Sequence, residues 1–198
     1  MKIIEFDSHK VALTPISEGS TEALTQTDIA YIATLSSPAR RAEQRAWRSA
    51  LRSLIGKEAE IEYLPSGAPR LTGCDWQIGV SHNTEWAAVA IGKARCGIDI
   101  ELLSRNFERV AARYISQEEE QLHDSTHPLF KPLLWSAKEA IYKYVASEGV
   151  DFLRDIQVTA LDMDAQKLSA VFRGEPLPKI EFRLVGGSSL LCLICEKQ

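Results

Sequence analysis

Long apolar runs are missing from this chain. None approaches the ~20 residues needed to span a bilayer, and Met1-Lys2-Ile3-Ile4-Glu5-Phe6-Asp7 alternates as a strand does and holds no signal-peptide core. A soluble, cytoplasmic protein with no membrane partner is expected. Cysteine is scarce, four in 198 residues, and nothing suggests a disulfide framework, which fits a reducing compartment. Cys192 and Cys195 form a C-x-x-C, but inside the apolar run Leu190-Leu191-Cys192-Leu193-Ile194-Cys195. In a strand, residues three apart point to opposite faces, so buried core thiols are expected rather than a metal or redox pair. An excess of basic charge is lacking too. With 23 basic and 27 acidic residues the net charge is −4, which does not advertise nucleic-acid binding. Neither a Walker-type glycine loop nor a dinucleotide fingerprint is found, so any nucleotide must be gripped by side chains. Low-complexity linkers and convincing internal repeats are also missing.

What is there is a globular composition, 45% hydrophobic and 25% charged, long enough for one large domain or two small ones. Strands are expected at residues 2–6, 60–64, 77–81, 85–91 and 97–102. Three or four more short strands are expected, at 156–161, 167–172, 180–184 and 190–195. A short helix is expected over 28–35. A longer one starts at Ser37-Pro38, with serine as N-cap and proline at the first helical position, and stops at Gly56. Ala46, Ala50, Leu51, Leu54 and Ile55 form its apolar stripe, with its arginines mostly elsewhere. Pro65–Pro69 reads as a turn. Helical signals return at 108–114, and Ser116-Gln117-Glu118-Glu119 is a capping box. A second long helix covers 128–145, with Gly149 past its end and Leu134, Ala137, Ile141 and Val145 as its core stripe. The resulting fold class is α+β, in two similar halves of antiparallel sheet plus long helix, 1–95 and 96–198.

The chemistry concentrates in two places. Asp99 and Glu101, two apart on a strand, share a face. Paired carboxylates repel unless a cation lies between them, and Mg²⁺ takes one or two carboxylates plus water and phosphate oxygens. Trp135, Glu139 and Lys143 line one stripe of the second long helix, with Lys138 beside them. A metal-held phosphate, a carboxylate base and lysines are what phosphoryl transfer requires. Taken singly, the strand pair reads as a solvated face and Glu139/Lys143 as an ordinary helical ion pair. Arg40, Arg41, Arg45, Arg48 and Arg52 crowd one segment with only Glu43 to offset them, which invites an anionic ligand. Arg48 is favoured because Trp47 and Leu51 flank it. Ser81-His82-Asn83 ends a strand, and His82 could bind phosphate. His9, His123 and His127 have no partners in the sequence that mark them out.

Together these residues resemble the 4′-phosphopantetheinyl transferase superfamily, in its monomeric, two-half, surfactin-type group. The carriers of the resemblance are Gly97-Ile98-Asp99-Ile100-Glu101 and Trp135-Ser136-Ala137-Lys138-Glu139-Ala140-Ile141-Tyr142-Lys143, about forty residues apart. Weaker matches are Ser81-His82, the arginine helix and Ser66-Gly67-Ala68-Pro69-Arg70-Leu71. The resemblance implies two halves packed as a pseudo-dimer, with the site in the cleft. It implies transfer of the phosphopantetheine arm of coenzyme A to a serine of an apo acyl or peptidyl carrier protein, releasing adenosine 3′,5′-bisphosphate. Asp99, Glu101 and Glu139 would hold Mg²⁺ (Mn²⁺ as a substitute), with Glu139 also the base and Lys138 and Lys143 countering phosphate charge. Arg40, Arg41, Arg45, Arg48 and His82 would grip coenzyme A phosphate, and Gly67, Pro69 and Ser81 would approach its adenine. Ala68 stands where the family usually has lysine, so a phosphate contact is expected to be lost unless Arg70 or the arginine helix replaces it. The competing readings are a non-catalytic coenzyme A or nucleotide binder and a Mg²⁺-dependent phosphohydrolase.

Overall fold

The computed structural model describes residues 1–122 and 124–196; His123, noted above, lies outside them. The chain divides into two compact units, Met1–Arg95 and Cys96–Gln198, both of mixed α and β structure in which the strand pairings are antiparallel.

The first unit runs β1 (Lys2–Glu5), β2 (His9–Pro15), α1 (Gln26–Thr34), α2 (Pro38–Ile55), β3 (Glu60–Tyr63), β4 (Pro69–Thr72), β5 (Gln77–His82) and β6 (Trp86–Gly92). Its main sheet has the order β1-β2-β6-β5, and β3 and β4 form a separate hairpin. The central strand β2 has no counterpart in the sequence reading. Val11, Ala12 and Leu13 are fully buried in succession, and a strand covered on both faces loses the alternation that would announce it. His9 begins this strand and is a buried, satisfied histidine. Its Nδ1 lies 2.9 Å from Ser8 Oγ and its Nε2 2.8 Å from the Ala94 carbonyl.

α2 has the expected bounds. The Ser37 hydroxyl accepts the Arg40 amide, Pro38 opens the first turn, and Gly56 ends the helix at φ 74°. Ala46, Trp47, Ala50 and Leu51 pack against Ala12, Ala87, Val89 and Ile91 of the sheet. α1 starts earlier than expected because its cap is Thr25, which exchanges hydrogen bonds with Asp28 in a capping box.

The second unit runs β7 (Cys96–Leu102), α3 (Gln117–Leu122), α4 (Phe130–Val145), β8 (Ile156–Asp162), β9 (Lys167–Phe172), β10 (Glu175–Pro176), β11 (Ile180–Val185) and β12 (Ser189–Cys195). Residues 108–113, expected to be helical, form a 3-10 turn. The sheet order is β10-β9-β11-β12-β7, with β8 also paired to β9. α4 lies on it through Leu133, Leu134, Ala137, Ala140 and Ile141, facing Ile156, Val158, Phe182, Leu190, Cys192 and Ile194. This helix starts at Phe130, two residues later than expected, and ends at Val145 as expected; its cap is Ala146, which takes the left-handed conformation at φ 48°. Cys192 is buried, and Cys195 lies opposite Cys96 on β7 rather than beside Cys192.

The β7–β12 register sets the face on which the carboxylates lie. Cys192 pairs with Asp99, Leu190 with Glu101 and Ile194 with Gly97. Cross-strand partners share a face, so Gly97, Asp99 and Glu101 look toward α4, while Ile98 and Ile100 are buried on the reverse side. Gly97 is where strand and helix meet most closely. A Cβ there would lie 2.1 Å from the Ala140 carbonyl oxygen and 2.6 Å from the Tyr144 amide nitrogen, both backbone atoms that cannot rotate away. Only glycine lets β7 come near enough for its carboxylates to meet the α4 side chains.

Candidate functional site

On the α4 side of β7, helix and strand residues interlock. Lys143 Nζ donates to Asp99 Oδ1 at 2.8 Å and to the Ile98 carbonyl at 3.0 Å. Ser136 Oγ donates to Asp99 Oδ2 at 2.9 Å, and Trp135 Nε1 donates to Glu101 Oε1 at 2.7 Å. Residues 135, 136, 139 and 143 recur at helical spacing, so one face of α4 presents indole, hydroxyl, carboxylate and ammonium to β7. Trp135 is itself fixed edge-on against Tyr114, ring centroids 5.1 Å apart, with Phe152 at 5.9 Å. Arg105, four residues beyond Glu101, also binds Glu101 Oε1.

The electrostatics of this group are those of crowded negative charge. Burial pushes the Glu139 carboxyl above the ordinary glutamate value, and the charge of Asp99 adds to the rise against the opposing pull of Lys143. Burial and Asp99 raise Glu101 in the same way, opposed by Trp135, Arg105 and Lys143. Asp99, Glu101 and Glu139 on this partly desolvated face are hard-oxygen donors of the kind Mg²⁺ takes. Among the described residues no three His, Cys, Asp or Glu side chains are gathered as ligands of one ion. Asp99 and Glu101 instead hold Lys143 and Arg105, so an ion can be seated only after side chains move.

Lys138 is not where the sequence reading places it. It is fully buried, and its ammonium donates to Glu119 at 2.9 Å and to the Phe152 and Ile156 carbonyls at 2.9 and 2.8 Å. All three protons of the amine are thereby used inside the unit, and desolvation lowers its pKa against the pull of Glu119. An ammonium so enclosed cannot meet a substrate phosphate, and the expectation that it does is corrected. Its partner Glu119 was legible only as a capping-box residue. It does bond with the Ser116 amide, but it also accepts the Val158 amide at 2.8 Å, tying α3, α4 and β8 together.

In the first unit the arginines of α2 separate into two classes. Arg48 and Arg52 are buried around Asp28. Arg48 donates to Asp28 at 2.6 Å, to Gln44 at 3.1 Å and to the Tyr63 hydroxyl at 2.9 Å, and its guanidinium stacks over Tyr31. Arg52 donates to both Asp28 oxygens, at 2.7 and 3.2 Å, and to the Ala59 carbonyl. With three nitrogens engaged and almost no exposure, Arg48 is built as a structural residue, which sets the observed geometry against the expected phosphate contact. Burial raises the Asp28 carboxyl, but the hydrogen bonds from Arg52, the Thr25 amide and Arg48 outweigh it, and the net shift is downward.

Arg40, Arg41 and Arg45 remain toward solvent. Arg40 is exposed, Arg41 caps the Leu35 and Ser36 carbonyls at 2.6 and 3.0 Å, and Arg45 lines a surface cleft with Ile16, Ser17, Thr84 and Trp86. His82 is partly exposed at the end of β5, its Nε2 3.5 Å from a Glu43 carboxylate oxygen, and Ser81 beside it is buried. Gly67 takes φ 83° in the turn before Pro69, which opens β4. Arg70, which could supply the charge missing at Ala68, is engaged by Glu62 across the hairpin at 2.7 Å.

A family model described as the 4′-phosphopantetheinyl transferase superfamily matches residues 95–194, which is 100 of the 198 residues. Among curated proteins, none matches the chain.

Proposed function

From the premise that the chain belongs to the 4′-phosphopantetheinyl transferase superfamily, we propose that it transfers the 4′-phosphopantetheine moiety of coenzyme A to a serine of an apo carrier protein. The products are holo carrier protein and adenosine 3′,5′-bisphosphate. The observation that carries the reading is the meeting of Asp99, Glu101, Glu139 and Lys143 at the β7–α4 contact. The surfactin-type, two-half arrangement and a single-chain active unit belong to the proposal.

Asp99, Glu101 and Glu139 would hold Mg²⁺, which when bound supplies charge stabilisation to the pyrophosphate. Lys143, part-exposed on the same face, turns its ammonium to a phosphate oxygen as charge develops there. Glu139 takes the proton of the carrier serine. A carboxylate on Mg²⁺ is a poor base by its pKa, but proton loss need only accompany bond formation. Ser136 and Trp135 orient Asp99 and Glu101 through the hydrogen bonds described. Positioning and electrostatics of this kind supply most of the rate in phosphoryl-type transfer. Arg40, Arg41, Arg45 and His82 are the residues proposed to hold the nucleotide phosphates, with Gly67, Pro69 and Ser81 near the adenine. Arg48 acts by fixing α2. The partner is a carrier domain, a small helical bundle with an acidic recognition helix.

The test is intact mass spectrometry of apo carrier proteins from fatty acid, polyketide and nonribosomal peptide systems, incubated with the protein, coenzyme A and Mg²⁺, with and without chelator. A chelator-sensitive gain of one phosphopantetheine on the carrier serine is expected. No gain on any carrier, with coenzyme A still bound, would replace the transferase with a non-catalytic binder.

A further inference from the structure

Two exposed cations lie against the β7 carboxylates where one buried cation does not. Lys143 is on Asp99 with a third of its side chain exposed, and Arg105 is on Glu101 with 40% of its side chain exposed. Lys138, by contrast, is wholly enclosed. Arg105 belongs to neither recognisable motif. It reaches the carboxylate by i, i+4 spacing, and its guanidinium lies 4.5 Å over the Trp135 ring and 5.5 Å from that of Phe107. The Trp135 indole donates to the same oxygen, Oε1, that Arg105 binds. Arg105 is therefore held by one charged contact and by aromatic faces at the edge of the carboxylate group, with solvent on its other side. A guanidinium on an aromatic face keeps its outer N–H donors available in a planar fork that matches phosphate oxygens.

We infer that Arg105 is an exchangeable counter-ion: it neutralises Glu101 while no metal is present and moves to an anionic phosphate oxygen of the substrate when a divalent cation takes its place. The inference rests on the function proposed above and adds a substrate-binding residue to it. Its consequence is synergy. A divalent ion arriving alone must displace Arg105 from Glu101 and leave that cation nearby, which costs Coulomb energy. An ion arriving with a pyrophosphate gives the displaced guanidinium a new partner, so each ligand tightens the other, and linkage requires the effect to be equal in both directions.

The experiment is Mn²⁺ titration of the full chain, by electron paramagnetic resonance and by calorimetry, with and without coenzyme A, for the wild type, Arg105→Gln and Arg105→Lys. In the wild type, coenzyme A is expected to tighten Mn²⁺ binding. Arg105→Gln is expected to bind Mn²⁺ alone about threefold more tightly or better, because a competing charge is gone, while the tightening by coenzyme A shrinks by at least that factor. Arg105→Lys, which keeps the charge but not the planar fork, is expected to bind Mn²⁺ alone as the wild type does and to keep only part of the tightening by coenzyme A. If Arg105→Gln binds Mn²⁺ alone as weakly as wild type, or more weakly, Arg105 only positions Glu101 and the exchange is wrong. If the wild type itself binds neither Mn²⁺ nor coenzyme A, the functional reading fails before this one.

Discussion

Lys138 and Lys143 lie five residues apart on one helix and have opposite surroundings. Lys138 spends its three protons on Glu119 and two carbonyls in the core, whereas Lys143 lies on Asp99 at a partly exposed face. Lys138→Met should therefore lower stability by about 3–5 kcal/mol, the cost of stranding a buried carboxylate. Lys143→Ala, which takes one partner from the buried Asp99 carboxylate, should cost less, about 1–3 kcal/mol, and lower kcat. Denaturant unfolding together with transfer kinetics would show this split, and a Lys138→Met protein of full stability would contradict it. At Glu139 the prediction concerns sign. The folded carboxyl titrates above its unfolded value, so the folded state holds more protons in that window and stability falls as pH rises through it. At neutral pH the ionised group is a burden when no ion is bound. Glu139→Gln should thus abolish transfer, keep coenzyme A binding and raise the melting temperature of the ion-free protein, by about 2–4 °C for each kcal/mol relieved. A melting temperature that fell would mean the carboxylate is not under the strain described.

At the scale of elements, α2 is anchored by a buried charge network that joins it to α1. Asp28, on α1, binds two arginines 20 and 24 residues away. Replacing it by asparagine leaves both guanidiniums buried with their counter-charge removed, at an expected cost of about 3–5 kcal/mol. Because the folded Asp28 carboxyl titrates below its unfolded value, its contribution is present above about pH 4 and is lost as pH falls through the lowered folded value. Acid unfolding of the wild type should carry this component, and Asp28→Asn should lack it. Identical acid transitions in the two proteins would remove Asp28 from the account. The network also shows why the roles of the arginines were hard to read. Their side chains were placed by crowding and by the flanking Trp47 and Leu51, and neither signal points to an acid on the preceding helix. Glu119 was hidden for the same reason, its ammonium partner lying 19 residues on. The bounds of α2, by contrast, were written locally, in Ser37, Pro38 and Gly56.

For the whole molecule, legibility follows the range of the interaction. Motif strands and helices that signal by their own spacing were found, and β2, buried on both faces, was not. The second unit, Cys96–Gln198, contains the carboxylates, Lys143, Arg105 and nearly all of the family match. The spacing of Gly97–Glu101 and Trp135–Lys143 foretold which side chains would share a face of their strand or helix, but only the register of β7 against β12 and the close approach at Gly97 explain why they meet. Ser136 and Arg105 went unnoticed although each lies within four residues of a motif carboxylate or indole, since a hydroxyl or guanidinium gains meaning only from what it touches. The central claim is that this group performs transfer rather than hydrolysis or binding. The most direct measurement is release of adenosine 3′,5′-bisphosphate from coenzyme A and Mg²⁺, followed with and without an apo carrier protein. The account predicts release only with the carrier, one nucleotide for each carrier converted. Release without any carrier would make the protein a phosphohydrolase and contradict it.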